Sequence, residues 1–389
     1  MAHKTVILSG IFRWISLVLI APLLAACIDT SGIGQTVAPG KTTKVALLVP
    51  LGSDNPQQDA LANSLVNAAK LAASDIQGAK IELMVYGTSG NSGQAALAAK
   101  QAVADGANII VGPLFAQAAN AAGVAVSGNN INILSLSNNT QIAGGNVFVL
   151  GNTFENTANR LVSYAASQGL SSIAAVAAQN AAGKVAIEAV RKASLEAGAN
   201  FTGSTTYEFS PTGVVTAAPA IKAQVLDTGT QALVFSSDSA GALPILAKLL
   251  PENGLPPDQV KFIGLTRWDI PASTLMNPGL QGGWFALPDT SSISAFKARY
   301  TATYGAGPHP LAGFAYDGVA AIGALLATGA PDALTRKKLT RPGGFAGVNG
   351  VFRLLPDGTN QRGLAIAEVR DGQAVVIDPA PRGFGGSGS

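Results

Sequence analysis

The chain has 389 residues, 48% of them apolar and only 12% charged, with a formal net charge of +3. Charged residues make up about half of the usual share of roughly a quarter, and the longest basic run is Arg336-Lys337-Lys338, which argues against a nucleic-acid groove. A single cysteine excludes an internal disulfide and a Cys-based metal site, while 45 glycines with ample apolar content suit an Ala/Gly-built α/β protein of two lobes.

Residues 1–26 read as a signal segment. His3, Lys4 and Arg13 supply positive charge, and Ile15 to Leu24 is an apolar run shorter than the roughly 20 residues that span a bilayer. The run closes on Leu24-Ala25-Ala26-Cys27, which resembles a bacterial lipobox. That resemblance implies acyl chains on Cys27, each buried CH₂ adding about 0.8 kcal/mol to anchoring. Ile28 in place of Asp implies the periplasmic face of the outer membrane, with the membrane held by the anchor alone. Residues 27–43 are polar, Gly/Pro-punctuated and aperiodic, and read as a tether that fully extended would reach on the order of 50 Å.

Folded structure is expected from the apolar strand Lys44 to Pro50, followed by a helix over Ala60 to Ile76, a strand over Lys80 to Tyr86 and a helix over Gln94 to Ala104. The stretch Asn108 to Asn139 then reads as a strand (Ile109-Ile110-Val111), a Gly112-Pro113 turn, an alanine-rich helix and a second strand (Ile131 to Leu136). Short continuous apolar runs separated by helices are the mark of buried parallel strands. Asn146 to Leu150 is a fifth run, and the alternation restarts after Phe154 with helices at 156–168, 184–197, 218–228 and 243–250 and strands at 172–177, 200–207, 232–235 and 260–265. The expected fold class is α/β, two doubly wound lobes joined by three crossings near Gly151, Leu287 and Asn349. Lobe 1 takes residues 44–151 plus 289–348, lobe 2 takes 152–288 plus 349–378, and 379–389 read as a disordered tail.

In open parallel sheets ligands gather beyond the carboxyl ends of the strands. Candidate cleft residues are therefore Leu114 and Phe115 after the third strand, Ser135, Ser137 and Asn138 after the fourth, and Ser236 and Asp238 after a strand of lobe 2. For Asp238, capping of the next helix is the favoured reading over a place in the cleft. Thr266, Arg267 and Trp268 follow the last strand of that series, where Arg beside Trp offers a cation and a flat apolar face, or a surface salt bridge. Tyr316 with Asp317 opens a helix, as a cap or as cleft lining. Enzyme chemistry finds little footing: of the two histidines, His3 lies in the signal and His309 between two prolines, and no P-loop, His-Glu-x-x-His or Gly-x-Ser-x-Gly pattern occurs. No catalytic residue, cofactor or metal is expected.

Ile110-Val111-Gly112-Pro113, Gly264 after a strand, Phe314-Ala315-Tyr316-Asp317-Gly318 and the run Phe345 to Phe352 occur in the order and spacing of the type 1 periplasmic-binding-protein fold. From Lys44 to Val376 the chain resembles the leucine/isoleucine/valine-binding-like receptors. Those receptors place hydroxyl residues after the third strand to hold a substrate carboxylate, where this chain has Leu114-Phe115-Ala116-Gln117-Ala118. The acid that would meet an ammonium is replaced by Thr266-Arg267, and an aromatic of the second lobe by Ala182. A lipobox with this fold and an altered amino-acid site is similar to the penicillin-binding-protein activators. That similarity implies a lipid-anchored regulator of cell-wall synthesis, activating a bifunctional peptidoglycan synthase by protein contact. The alternative is a solute-binding receptor of an ABC-type transporter, holding a small-molecule ligand between the lobes.

Overall fold

The computed structural model describes Met1 and residues 32–384; the expected signal segment, Cys27 with its lipid, and residues 385–389 lie outside them. Strand β1 (Thr42–Val49) is buried on both faces from Val45 onward. Val45, Leu47 and Val49 enter one apolar cluster, while Ala46 and Leu48 enter another on the opposite side. A strand buried on both sides requires helices over both faces of its sheet. They are supplied by α1 (Pro56–Asp75), α2 (Ser92–Ala104) and α3 (Ala116–Ala125), which alternate with β2 (Lys80–Gly87), β3 (Ile109–Val111), β4 (Ile133–Ser135) and β5 (Val147–Val149). The strands lie parallel in the order β2-β1-β3-β4-β5.

The second lobe repeats the principle. It runs α4 (Phe154–Ser167), β6 (Ser172–Ala178), α5 (Ala181–Glu196), β7 (Asn200–Tyr207), α6 (Pro211–Thr228), β8 (Ala232–Phe235), α7 (Leu243–Glu252), β9 (Lys261–Gly264) and β10 (Trp284–Leu287). Ala174 and Val176 face one cluster with α6 and α7, and Ile173 and Ala175 face the other with α4 and α5. Helix α6 starts seven residues earlier than the sequence suggests, at Pro211 against Ala218. Ser210 caps it by accepting from Gly213 N, and Pro219 sits inside the helix on its exposed side.

The chain returns to lobe 1 as α8 (Thr290–Tyr304), α9 (Ala312–Leu326) and the short α10 (Arg336–Leu339). Helices α8 and α9 lie against α1, where Asp75 of α1 takes the Arg299 guanidinium and the Tyr316 hydroxyl. Strands β11 (Phe345–Gly347), β12 (Gly350–Leu354) and β13 (Asn360–Arg362) form a small antiparallel sheet whose Phe345, Phe352 and Leu354 complete the lobe 1 core. Strands β14 (Ala365–Arg370) and β15 (Gln373–Asp378) then extend the lobe 2 sheet antiparallel to β10. The third crossing therefore falls at Gly363, between β13 and β14, and not near Asn349. The apolar alternation of 350–354 does not reveal which lobe it serves; the aromatic pair Phe345–Phe352, with ring centroids 5.5 Å apart, decides it.

A buried ion pair joins the three crossings. Arg362 and Asp317 have side chains only 1% and 0% exposed and meet at 3.1 Å. Arg362 also donates from Nε and Nη2 to Leu150 O beside the first crossing, and its guanidinium lies over the rings of Phe314 and Phe352. Asp317 further accepts from Val348 N and Asn349 Nδ2, and Asn349 O takes the Asp289 N–H at the second crossing. Burial pushes the Asp317 carboxyl up and the Arg362 guanidinium down, each opposed by its partner.

The expected tether is partly built into lobe 1. Ile33 O accepts from Asn132 Nδ2 and Arg336 N, Gly34 exchanges two bonds with the Asn130 side chain, and Val37 N donates to Pro331 O. Gly34 has φ +133, and a Cβ there would stand 2.3 Å from Leu334 O and 2.6 Å from Thr335 Cα. The polar, aperiodic composition of 33–41 reflects bonding to loop backbone, not freedom. The expected tail is likewise bound in part: Ala380 is buried, and Pro379 O accepts from Arg160. Among the described residues no helix is long and apolar enough to cross a membrane.

Two outcomes follow. Replacing Arg362→Met strands a buried carboxylate and is expected to cost about 3–5 kcal/mol in urea unfolding at neutral pH. An acid whose folded pKa is raised loses stability as pH rises through the window above its unfolded value, so this deficit shrinks as pH falls toward that value. Adding Asp317→Asn to Arg362→Met removes the stranded charge and is expected to recover part of the loss. Separately, Gly34→Val is expected to free residues 33–41 to protease cleavage while the chain from β1 onward stays protected, as read by mass spectrometry of limited digests.

Candidate functional site

Loops at the carboxyl ends of the strands meet across a cleft of about 440 Å³ between the lobes. From lobe 1 come Leu114 and Phe115 after β3, Leu136, Ser137 and Asn138 after β4, Leu61 of α1, and Leu311 with Phe314 around the start of α9. From lobe 2 come Leu265, Thr266, Arg267 and Ile270 after β9. The crossings close the back with Gly151, Asn152, Leu287, Pro288, Asn349, Arg362 and Leu364. The lining is mainly apolar, with a few convergent polar groups, the usual character of a small-molecule pocket.

Most of those polar groups are already held. The Ser135 hydroxyl, fully buried, donates to Pro113 O at 3.0 Å and so locks the two lobe 1 loops together instead of facing the cleft. Ser137 Oγ accepts from Asn139 N at 3.1 Å and Ser137 O accepts from Gly151 N. Thr266 donates its hydroxyl to Ser237 O at 2.9 Å. Asn152 donates to Thr157 Oγ1 at 3.2 Å, leaving its own Oδ1 buried and without a partner. Helix α3 begins at the cleft on Phe115, with no side chain capping its first N–H groups.

Of the candidate residues, Leu114, Phe115, Ser137, Asn138, Thr266 and Arg267 line this one cavity. Ser135, Ser236, Asp238, Trp268 and Tyr316 do not. Trp268 is fully buried in the lobe 2 core, stacked on Phe285 at 5.8 Å and lying over Gly264, where a Cβ would meet its indole nitrogen at 2.2 Å. The glycine after β9 thus makes room for a core tryptophan, and no flat face is offered to a partner. Tyr316 packs edge-on to Phe296 and donates to Asp75, and burial with that carboxylate pushes its hydroxyl up to about 12. It belongs to the α1–α9 contact. Asp238 is exposed, and its backbone carbonyl, not its carboxylate, accepts from Gly241 N and Leu243 N ahead of α7. Ser236, half-buried, donates its N–H to Val176 O in the lobe 2 sheet.

Residues that sequence reasoning passed over include Leu61, Leu311, Phe314, Asn349 and Arg362. Apolar residues at helix starts carry no local mark of a cleft. Arg362 carries no local mark either, since its partner Asp317 lies 45 positions earlier in the chain. Among the described residues no cluster of His, Cys, Asp or Glu is arranged to hold a metal ion.

The sequence pattern of a family described as periplasmic binding protein matches residues 42–374. The chain belongs to that family. The binding protein has the type 1 two-lobed fold, and solved structures share it at low identity. A branched-chain amino acid ABC transporter protein from Rhodospirillum rubrum superposes with TM-score 0.71 at 19% identity, covering 87% of this chain and 100% of its own. A branched chain amino acid ABC transporter periplasmic ligand-binding protein from Burkholderia xenovorans LB400 gives 0.70 at 18% identity, covering 88% and 96%. A solute binding protein from Rhodopseudomonas palustris BisB5, in complex with 3,4-dihydroxy benzoic acid, gives 0.59 at 20% identity, covering 87% and 96%. No curated protein sequence matches the chain. By that membership the chain is a binding protein and not an enzyme.

The geometry of the cleft rests on close backbone approach at the first crossing. A Cβ on Gly151 would stand 2.5 Å from Ser137 O and 2.8 Å from Asn138 N. Gly151→Ala is therefore expected to push the Ser137-Asn138 loop away from the crossing, costing about 1–3 kcal/mol in thermal unfolding and weakening whatever ligand the cleft holds.

Proposed function

We propose that this binding protein is the solute receptor of an ABC-type transporter, holding a small, largely apolar ligand between its lobes. The observation that carries this reading is the inter-lobe cleft of about 440 Å³, apolar over most of its lining and reached by loops from both sheets. The relatives support it: the Rhodopseudomonas palustris proteins are solute binding proteins holding benzoate or 3,4-dihydroxy benzoic acid, and a Thermotoga maritima relative is a leucine binding protein. Activation of a peptidoglycan synthase gains no support from the fold, the cleft or these relatives, and the receptor reading takes its place. Lipid anchoring through Cys27 remains part of the proposal on the strength of Leu24-Ala25-Ala26-Cys27; the outer membrane as its site rests on Ile28 alone.

Free leucine is not the expected ligand. No carboxylate of the described residues lines the cleft, so an ammonium would give up water without a charged partner, forfeiting a charge-assisted bond worth about 1.5–3 kcal/mol. The test is a thermal-shift screen of the purified chain against organic acids, amino acids, sugars and nucleosides. A true ligand at about 100 times its Kd adds about 2.7 kcal/mol of stability and raises the midpoint, whereas leucine is expected to leave it unchanged. A screen without any hit, joined to stimulation of a purified peptidoglycan synthase, would return the function to cell-wall synthesis.

A further inference from the structure

Two cations line the cleft, and they differ in what they have left to offer. Arg362 is side-chain buried and held by Asp317 and Leu150 O between two aromatic rings. Arg267 is half-buried, its side chain 32% exposed, and it projects from lobe 2. Asp269, two residues on and not part of the lining, accepts from Arg267 Nε at 2.6 Å and from Nη2. That pairing occupies one edge of the planar guanidinium and orients it. The Nη1/Nη2 edge, which offers a second fork of parallel N–H groups, has no partner among the described residues. Across the cavity, the N-terminus of the ten-residue α3 brings uncapped N–H groups and the positive end of its dipole to Phe115. Both lobes thus present positive potential to a cavity without a lining carboxylate.

We infer that Arg267 is the specificity-determining residue of the cleft, and that the ligand is an apolar monoanion, a carboxylate without an amino group. This rests on the receptor reading above. Oriented by Asp269, the free edge of Arg267 accommodates a carboxylate in a bidentate, charge-assisted pair, while Leu61, Phe115, Leu311 and Phe314 cover the apolar body. An amine brings a like charge to the same space. Lobe 2 contributes the charge and lobe 1 most of the apolar contact, so each lobe recognises a different part of one molecule.

The experiment titrates the purified full chain by calorimetry with three matched probes: isocaproate, leucine (isocaproate bearing an amino group) and the uncharged isocaproamide. Isocaproate is expected to bind at least about tenfold more tightly than either of the others, the difference one charge-assisted pair supplies. Arg267→Gln is expected to abolish that preference, isocaproate falling to the affinity of isocaproamide in the same variant. In the swapped pair, Arg267→Asp with Asp269→Arg, the ion pair persists but a carboxylate faces the cleft, and isohexylamine is expected to displace isocaproate as the preferred probe. Equal affinity for isocaproate and isocaproamide in the native chain, or an unaltered preference in Arg267→Gln, overturns the assignment. Should the probes fail while an uncharged or cationic metabolite binds, the anion inference falls and the receptor stands. If nothing binds in either set, both fall.

Discussion

The architecture depends on one buried ion pair. Arg362 and Asp317 are almost wholly removed from water, and taking two charges out of water is costly enough that such a pair is poor evidence of stability. Its consequence here is geometric. The three chain passages between the lobes come from distant parts of the sequence, and without a common post each would be free to find its own path. Arg362 lies next to the third crossing, holds Leu150 O beside the first, and through Asp317 and Asn349 reaches Asp289 at the second. The pair cannot be satisfied unless all three passages are in place, since an unpaired charge at either position would cost several kcal/mol. Asn360 adds a neutral version of the same logic, donating to Val149 O and Gly151 O while accepting from Asn156 of lobe 2.

That arrangement explains the character of the cleft. Groups near the hinge are polar but engaged, so the back wall supplies rigidity more than recognition. The loops farther out carry apolar side chains from lobe 1 and Arg267 from lobe 2. A ligand bridging these loops adds contacts across a gap that the hinge alone does not close, and it favours the closed arrangement by as much as it binds that arrangement better.

Much of the fold was legible in the sequence because period and punctuation agree there. The runs Ile109-Ile110-Val111 and Ala232 to Phe235 are wholly buried strands, and continuous apolar runs announce that locally. The failures share one cause, that the deciding partner is far along the chain. Trp268 looks like an exposed aromatic beside an arginine until Gly264 and Phe285 are seen beneath it. Ser135 looks like a ligand donor until its hydroxyl is seen donating to Pro113 O. Residues 33–41 look like a tether because their partners, Asn130, Asn132, Pro331 and Arg336, stand some hundred to three hundred positions downstream. Strands β12 and β13 read as part of lobe 2 for the same reason, although β11 is legible as lobe 1. Six of the candidate residues do line one cavity, and all six follow strand ends, where the topology of a parallel sheet brings loops together whatever their sequence.

The docked N-terminal segment also bears on what the chain can reach. A free tether over residues 27–43 would let the lobes range on the order of 50 Å from an anchor at Cys27. With Ile33 and Gly34 already bonded to lobe 1, six residue steps separate Cys27 from the docking site, and these span at most about 20 Å. An anchored lobe 1 would then stay close to its own membrane, and lobe 2, joined only at the crossings, would be the part free to swing. A leash this short would hold any partner, transporter or synthase alike, to the neighbourhood of the membrane that carries the anchor. The bonds at Gly34 therefore constrain both readings equally, and the choice between them rests on the cleft.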